Sequence, residues 1–544
     1  MLKFNNQDRK EYLAASIITA LLYAIGAHYF YNESTISLLP AVVLLMIRVA
    51  IAGVISLFVF ELLNKLFEGR FLIQKSRKTH KYSSLKFFCV FICCWMPLLV
   101  IKYPGAMCWD TWQMLNQYRT ESITTHHSVF YTAVMGRLIK ATEVNGNSNI
   151  GLFVFVLIHL IVLAAAFAYS SEVMLKLGAN PGVVRVISML FIINPYVIAY
   201  IGVAMKDVLY TALIVFLTAA IIDAEKDPEG FYNSRCKISM MITTTVLCCL
   251  VRKNGIYVAT FLLIIAIIKT IRKEQKKRYI AVFLLSIILA FALSAGLNAY
   301  YKAEPSSVSE ALSVPFQQTA RYVKEYKEEV TIQERDSINR VLDYENLPGL
   351  YNPKKSDYVK GTYKEDAKYL PAYFRTWIAQ FVKHPKCYFS AYCEMYFYLF
   401  VPEANADNIV LYRDDNIGYE VSKVINIKES TSFYEDLFSP PKELEPLKDW
   451  IIRITASLHH NYVIGAIANI SVNVYALLFL VAKLMIDKRT FILPFSPAIV
   501  ALCFAMLGPA VYGHPRYLFP IVYSLPILLV YSASLYTDNN YSRT

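Results

Sequence analysis

Charge is what this chain is short of. Asp, Glu, Lys and Arg make up 17% of its 544 residues, against about 25% in an ordinary soluble domain. Hydrophobic residues make up 56%, and apolar runs recur from one end to the other. A chain so composed has too little polar surface to face water on all sides, so its solvent is a bilayer. The sequence also lacks a Gly-rich phosphate loop, a low-complexity tract and any detectable internal repeat. The missing repeat argues against a transporter built from inverted halves. Its ten Cys show no zinc-ligand spacing. Cys89, Cys93, Cys94, Cys248, Cys249 and Cys503 lie in apolar runs and read as small core residues. Cys387 and Cys393 share one expected extracytoplasmic loop and could pair, but no disulfide framework is indicated. The first apolar run has no small-residue cleavage site, so it reads as a retained helix and not a signal peptide.

What charge there is has a pattern. The formal net charge is +13, which would suit nucleic acid, yet Lys and Arg concentrate in short segments between apolar runs. That is the positive-inside pattern of a membrane protein, and no nucleic-acid partner is expected. Runs of the roughly 17–25 residues that span a bilayer fall at 13–30, 40–63, 85–101, 150–170, 183–203, 207–223, 238–251, 255–271, 279–297, 461–483, 491–511 and 516–534. The run 238–251 is short and is expected to share a hairpin with 255–271. With about twelve spans the basic segments fall on one side together with both termini. These segments include Lys3, Arg9 and Lys10, the linker KLFEGRFLIQKSRKTHKYSS, Lys226, Arg235 and Lys237, IRKEQKKR, and Lys483, Lys488 and Arg489.

The expected fold is therefore an all-α polytopic membrane protein with a mostly helical extracytoplasmic insertion. Residues 1–101 hold N-terminal transmembrane helices and a basic cytoplasmic linker, and 102–149 form a first extracytoplasmic loop with an interfacial helix at 128–149. Residues 150–297 form a central bundle, 298–460 a large extracytoplasmic domain, and 461–544 the C-terminal transmembrane helices. Within the insertion, Ser309–Asp343 is helix-like and Asn346–Lys355 a loop. Lys368–Pro402 reads as two helices broken at His384-Pro385, with aromatic faces toward the membrane or over the loop 102–127. Residues 403–450 show no clear period.

The most polar features then share the extracytoplasmic face. The loop YPGAMCWDTWQMLNQYRTESITTHH (103–127) offers Asp110, Gln113, His126 and His127 among Tyr103, Trp109, Trp112 and Tyr118. Asp110 can serve as a general base on an acceptor hydroxyl or amine, with partial desolvation by the indoles raising its pKa. It could equally cap an interfacial helix, with Gln113 at the third helical position. Adjacent His126 and His127 point apart on a regular element, which suits substrate contact better than a shared metal. Lys206-Asp207 follows Asn194-Pro195, where a bent helix could aim the ammonium inward as a phosphate ligand. Arg252 and Asn254 lie at a tight turn closed by Gly255, where an interfacial snorkelling role is equally open. Arg516, between His514 and Tyr517, can hold a phosphate bidentately. Arg48 lies inside a span and reads as a packing residue. The set amounts to one carboxylate, several imidazoles and a group of cations. It suits transfer from a polyprenyl-phosphate-linked donor, whose tail needs an apolar groove between helices and whose phosphate needs Lys or Arg. The residues point to no definite cofactor; a divalent metal is possible but not indicated.

The runs YPGAMCWDTWQMLNQ…HH, NPYVIAYIGVAMKDVLY, RKNGIYV and HPRYLFPI resemble an uncharacterised bacterial family of multi-pass membrane proteins that is similar to the GT-C class of membrane glycosyltransferases. The resemblance implies a GT-C-like bundle, a catalytic Asp in the first large outer loop at Asp110, and a polyprenyl-phospho-sugar donor. Lys206-Asp207 and Arg516-Tyr517 match its later motifs. Two departures stand out. Three spans precede the Asp loop where many GT-C enzymes have one, and a single Asp lies between Trp residues where many have paired acids. The expected activity is a glycosyltransferase acting at the outer face of the bacterial plasma membrane on a glycan, lipid or protein acceptor. A flippase or transporter of a lipid-linked saccharide and an O-antigen polymerase- or ligase-like enzyme are the alternatives, and an acyltransferase built on His127 is a more distant one.

Overall fold

The computed structural model of the chain describes residues 6–31, 38–69, 71–74, 84–268, 273–405, 410–413, 416–420, 437–489, 492–508, 512 and 514–537. The basic stretches 75–83 and 269–272 lie outside the described residues, as does most of 403–436.

Each of the twelve apolar segments is mainly helical over its described residues, though not all are single straight spans. Helices α1 (Asn6–Phe30), α2 (Leu38–Glu68) and α3 (Ser84–Ile101) precede the polar loop, which carries α4 (Trp109–Arg119) and α5 (Val129–Ala141). The central bundle follows with α6 (Asn149–Lys176), α7 (Pro181–Ile192), α8 (Pro195–Tyr200), α9 (Lys206–Lys226), α10 (Pro228–Tyr232), α11 (Arg235–Val251), α12 (Gly255–Ile268) and α13 (Lys273–Tyr300). The insertion adds α14 (Ser313–Glu325), α15 (Ile332–Asn339), α16 (Leu347–Leu350), α17 (Asp357–Lys360), α18 (Leu370–Lys383), α19 (Pro385–Tyr396) and α20 (Glu445–His460). The chain closes with α21 (Tyr462–Ala468), α22 (Ile470–Ile486), α23 (Ile492–Leu507) and α24 (Phe519–Thr537).

Among the described residues seven helices are long and apolar enough to cross a membrane, or eight if the pair α21–α22, bent by 61°, is one span. The other four of the twelve segments are shorter helices. The segment 183–203 is the clearest departure, because it breaks after Ile192. Asn194 takes an extended conformation and its side chain accepts from the N–H groups of Tyr196 and Val197, while Pro195 occupies the first helical position. A capping Asn followed by Pro starts a new helix and cannot continue the old one. The same device opens α7 at Asn180-Pro181 and α10 at Asp227-Pro228, and Asn469 caps α22 at the bend.

Burial separates the helices by neighbour. In α9, 89% of the apolar window is buried, whereas α2 buries 6% of its own. The apolar residues α2 leaves outside, among them Met46, Ile51, Val54 and Phe58, would be untenable against water and are expected against lipid. The main core joins α3, α6, α9, α11, α22 and α24. The insertion builds a core of its own from Phe316, Val323, Leu342, Leu347, Val359 and Tyr373. The expected loop at 346–355 contains one helical turn, α16, and the region read as without period holds a hairpin of β3 (Val410–Arg413) and β4 (Asn416–Glu420) before α20 begins. Cys387 and Cys393, both on α19, are free and buried, not paired.

The element that positions the site is much smaller. Strands β1 (Ala106–Met107) and β2 (Val203–Ala204) pair in parallel, with Ala106 opposite Val203 and Met107 opposite Ala204. Gly105 and Gly202 precede them at φ +116° and +81°, a region open to glycine and strained for other residues. Their backbones also touch: a Cβ on Gly105 would lie 3.0 Å from the Gly202 carbonyl oxygen.

Candidate active site

Each strand of the ladder runs directly into a helix. Cys108 and Met205 are the residues before the first turns of α4 and α9. Both helices therefore start side by side, and each carries an Asp at its second position, Asp110 and Asp207. A carboxylate in the first turn is favoured by the positive end of the helix dipole. The Thr111 hydroxyl donates to the Ala204 carbonyl across the join. Asp110 is thus not the capping residue; that position belongs to Cys108, which makes no side-chain cap.

Behind the ladder lies Lys102, which the sequence reading passed over. Its ammonium donates to the carbonyls of Ile198, Ala199 and Ile201 at 2.6, 3.0 and 3.0 Å. These are the last acceptors of α8, the end at which a cation is favoured. Burial pulls its pKa down to about 7, while the three carbonyls favour the charged form. The only sequence signal was its place immediately after an apolar run, where a Lys ordinarily snorkels to water.

In front of the ladder the charged residues converge. Lys206 Nζ lies 3.4 Å from Asp110 Oδ2 and donates to His127 Nδ1 at 2.8 Å. Since an ammonium can only donate, His127 Nδ1 accepts and its proton sits on Nε2, which faces Gln113 Oε1 at 3.4 Å. Arg516 joins the two carboxylates, with Nη1 at 3.6 Å from Asp110 Oδ2 and Nε at 3.7 Å from Asp207 Oδ2. Arg252 pairs with Asp207 Oδ1. Both guanidinium groups lie 5.2 Å from the centre of the Tyr517 ring, and Arg252 lies 5.6 Å from that of Tyr210, so cation–π attraction helps to hold both arginines.

The electrostatics reverse one expectation. Burial alone would raise the Asp110 carboxyl, but Lys206, then Arg516, outweigh it and hold it well below the usual carboxylate range. The indoles do little: Trp109 is 47% exposed, and Trp112 is buried against Phe438. Burial, then the Lys206 ammonium, pushes His127 down to about 3, so the ring is neutral. The cluster holds three cations (Lys206, Arg252, Arg516) against two carboxylates (Asp110, Asp207), a surplus of one positive charge.

The structure thus brings together Asp110, Gln113, His127, Lys206, Asp207, Arg252, Arg516 and Tyr517. His126 stacks edge-on against His127 at 4.4 Å at the outer edge of the cluster. Trp109 stands beside Asp110 with its ring partly exposed. Asn254 stays in its turn, where its carbonyl accepts from Tyr257 and Val258, and His514 is half-buried before the 3-10 turn that carries Arg516. The insertion closes over the rim: Glu304 donates to the Ile123 carbonyl and accepts from Thr125 N–H, and Lys253 donates to Ser306 at 3.1 Å. Among the described residues no group of three or more His, Cys, Asp or Glu gathers at metal-ligand range.

No curated protein matches the sequence. Among solved structures, the fold is loosely similar to ArnT from Cupriavidus metallidurans bound to undecaprenyl phosphate, at 11% identity and TM-score 0.32, over 82% of this chain and 77% of that one. It is also loosely similar to the archaeal oligosaccharyltransferase AglB from Archaeoglobus fulgidus in complex with an inhibitory peptide and a dolichol-phosphate. There the identity is 12% and the TM-score 0.36, over 84% of this chain and 50% of that one. A family model described as a family of unknown function, DUF6020, matches residues 116–540, a stretch that takes in Lys206, Asp207, Arg252 and Arg516 and begins just past Asp110. On that match the chain belongs to the DUF6020 family.

Proposed function

We propose that the protein is a membrane glycosyltransferase that moves a sugar from a polyprenyl-phosphate-linked donor to a glycan, lipid or protein acceptor at the outer face of the bacterial plasma membrane. The observation that carries this reading is the charge surplus on Lys206, Arg252 and Arg516 around Asp110, set at one end of a lipid-embedded bundle. A polyprenyl phosphosugar is a phosphodiester with one negative charge, which balances the surplus. On transfer the anomeric C–O bond to the phosphate breaks and the acceptor oxygen forms the new bond. The acceptor proton passes to Asp110, and the phosphate keeps the electron pair as an added negative charge. Cations already in place at that oxygen stabilise the transition state without reorganisation.

The depressed pKa of Asp110 gives the mechanism an order. In the unliganded site its carboxylate is tied to Lys206 and Arg516, which makes it a weak base. A donor phosphate competes for the same two cations. As it takes them, Asp110 loses its neutralising partners and becomes a stronger base only once a donor is bound. Asp207, 1% exposed and held by Arg252, keeps the guanidinium of Arg516 oriented throughout. Mass spectrometry of lipid extracted from the purified protein tests the reading: a polyprenyl phosphate should co-purify, and ordinary phospholipid alone at full occupancy would count against it.

A further inference from the structure

The insertion carries a surface that the candidate site does not use. Helices α18 and α19 meet at an elbow, His384-Pro385, where His384 leaves helical geometry and Pro385 starts the next helix. Their inner faces, with Tyr373, Gln380 and Tyr388, are buried in the insertion. Their outer faces are not. Ile378, Val382 and Phe389 are 54, 72 and 62% exposed, and exposed Arg375 and Lys386 stand among them. On α18 the spacing Arg375, Ile378, Val382 places all three on one side of the helix.

The depth of this elbow is set by its contacts with the bundle. Ser390, next to Phe389, hydrogen-bonds Tyr29 at 3.0 Å in the last turn of the span α1. A Cβ on Gly26 would lie 2.7 Å from the Phe397 carbonyl oxygen, so the chain after α19 lies directly on α1. Tyr392 donates to the Met506 carbonyl at 3.1 Å and Tyr396 to that of Gly508, at the end of α23. Phe389 therefore stands where apolar helices leave the bilayer. From Leu370 to Cys393 the chain has Arg375, Lys383 and Lys386 and no Asp or Glu. Lys383 pairs with Glu334 at 2.7 Å, and among the described residues no ion pair is formed by Arg375 or Lys386.

From this geometry we infer that the α18–α19 elbow docks on the anionic phospholipid surface of the protein's own membrane. Ile378, Val382 and Phe389 enter the boundary between headgroups and acyl chains, and Arg375 and Lys386 meet lipid phosphates. Apolar anchors flanked by basic residues at headgroup depth bind by area and charge together. The elbow thus fixes the insertion, which rims the candidate site, at a defined height over the bundle.

The test uses the full chain in nanodiscs of phosphatidylethanolamine, with or without phosphatidylglycerol. Exposed Cys89, Cys93, Cys94, Cys236 and Cys503 are replaced by Ser, and Val382→Cys carries an environment-sensitive fluorophore. The label should be quenched more by lipid bearing a nitroxide near the headgroup than by aqueous iodide. Arg375→Gln with Lys386→Gln should lower the lipid quenching about twofold where phosphatidylglycerol is present and leave it unchanged without it. Ile378→Glu with Phe389→Glu should expose the label to iodide in both discs. Dominant iodide quenching of the parent, or equal lipid quenching with and without phosphatidylglycerol, would overturn the proposal. So would oxidative cross-linking of two copies through Val382→Cys, which would assign the face to a second copy of the chain.

Discussion

Replacing Asp110 by Asn should have two effects that point in opposite directions. The substitution keeps the shape of the side chain but removes the charge that Lys206 and Arg516 now share. Transfer should fall by about 10²- to 10⁴-fold in kcat, the range for loss of a positioned general base. Binding of undecaprenyl phosphate should become tighter, because the lipid phosphate no longer competes with a carboxylate. Opposite unit charges 3.4 Å apart attract by about 5 kcal/mol at an effective dielectric near 20, an upper bound. The Asp110 side chain is 24% exposed and is displaced, not removed, when phosphate enters. The recoverable part is then about 1–2 kcal/mol, or about 5- to 30-fold in Kd. Equilibrium binding of the labelled lipid phosphate in detergent and single-turnover sugar transfer would measure the two effects separately. Unchanged kcat would remove Asp110 from catalysis. Weaker lipid binding would refute the competition argument, because it would mean the carboxylate helps to hold the cations for the phosphate.

Two further outcomes follow from the surroundings of the site. Lys102→Met leaves the final carbonyls of α8 without their donor, which should cost about 2–4 kcal/mol and be seen as a lowered thermal midpoint, with Lys102→Arg less damaging. His127 is neutral in the folded chain down to about pH 3, whereas an unfolded His takes up a proton near pH 6.5. As pH falls between those values the unfolded chain binds the extra proton, so stability should decline by up to about 1.4 kcal/mol per pH unit. Thermal midpoints of the parent and of His127→Gln across that window should converge at low pH if this is correct; parallel curves would show that another group titrates.

Much of the architecture was legible because the bilayer writes it as long apolar runs, and Asn194-Pro195 marked a bend inside the run 183–203, though the full break into two helices was not read. The polar residues of the 103–127 loop, Lys206-Asp207, Arg252 and Arg516-Tyr517 stood out for the opposite reason, as charge where charge is scarce. What could not be read was which of them meet. Asp110 lies between two Trp in sequence, which suggested desolvation and a raised pKa, but its neighbours in space are Lys206 and Arg516 from distant segments. Desolvation acts through whatever surrounds a group, and local sequence does not report that. Lys102 escaped notice because a Lys after a span usually faces water, and only the folded position of α8 shows that it does not. Nor did composition report which side of α5 faces inward: Tyr131, Met135 and Ile139 are buried, because α6 packs against that side.

The two-rung ladder of β1 and β2 has a consequence for how this protein can change. A parallel pair sends both chains onward in the same direction, so the starts of α4 and α9 are set by a shared origin, as two rulers are when laid against one stop. Inserting or deleting one residue in either strand would move one helix start by about 3.3 Å relative to the other, nearly the whole Lys206–Asp110 separation of 3.4 Å. It would also turn the following side chain to the other face of the strand. The distances Gly105–Asp110 and Gly202–Asp207, five residues each along the chain, cannot drift apart without separating the carboxylate from its cation, and equal spacing of those two segments is what a search for relatives that keep this site should require.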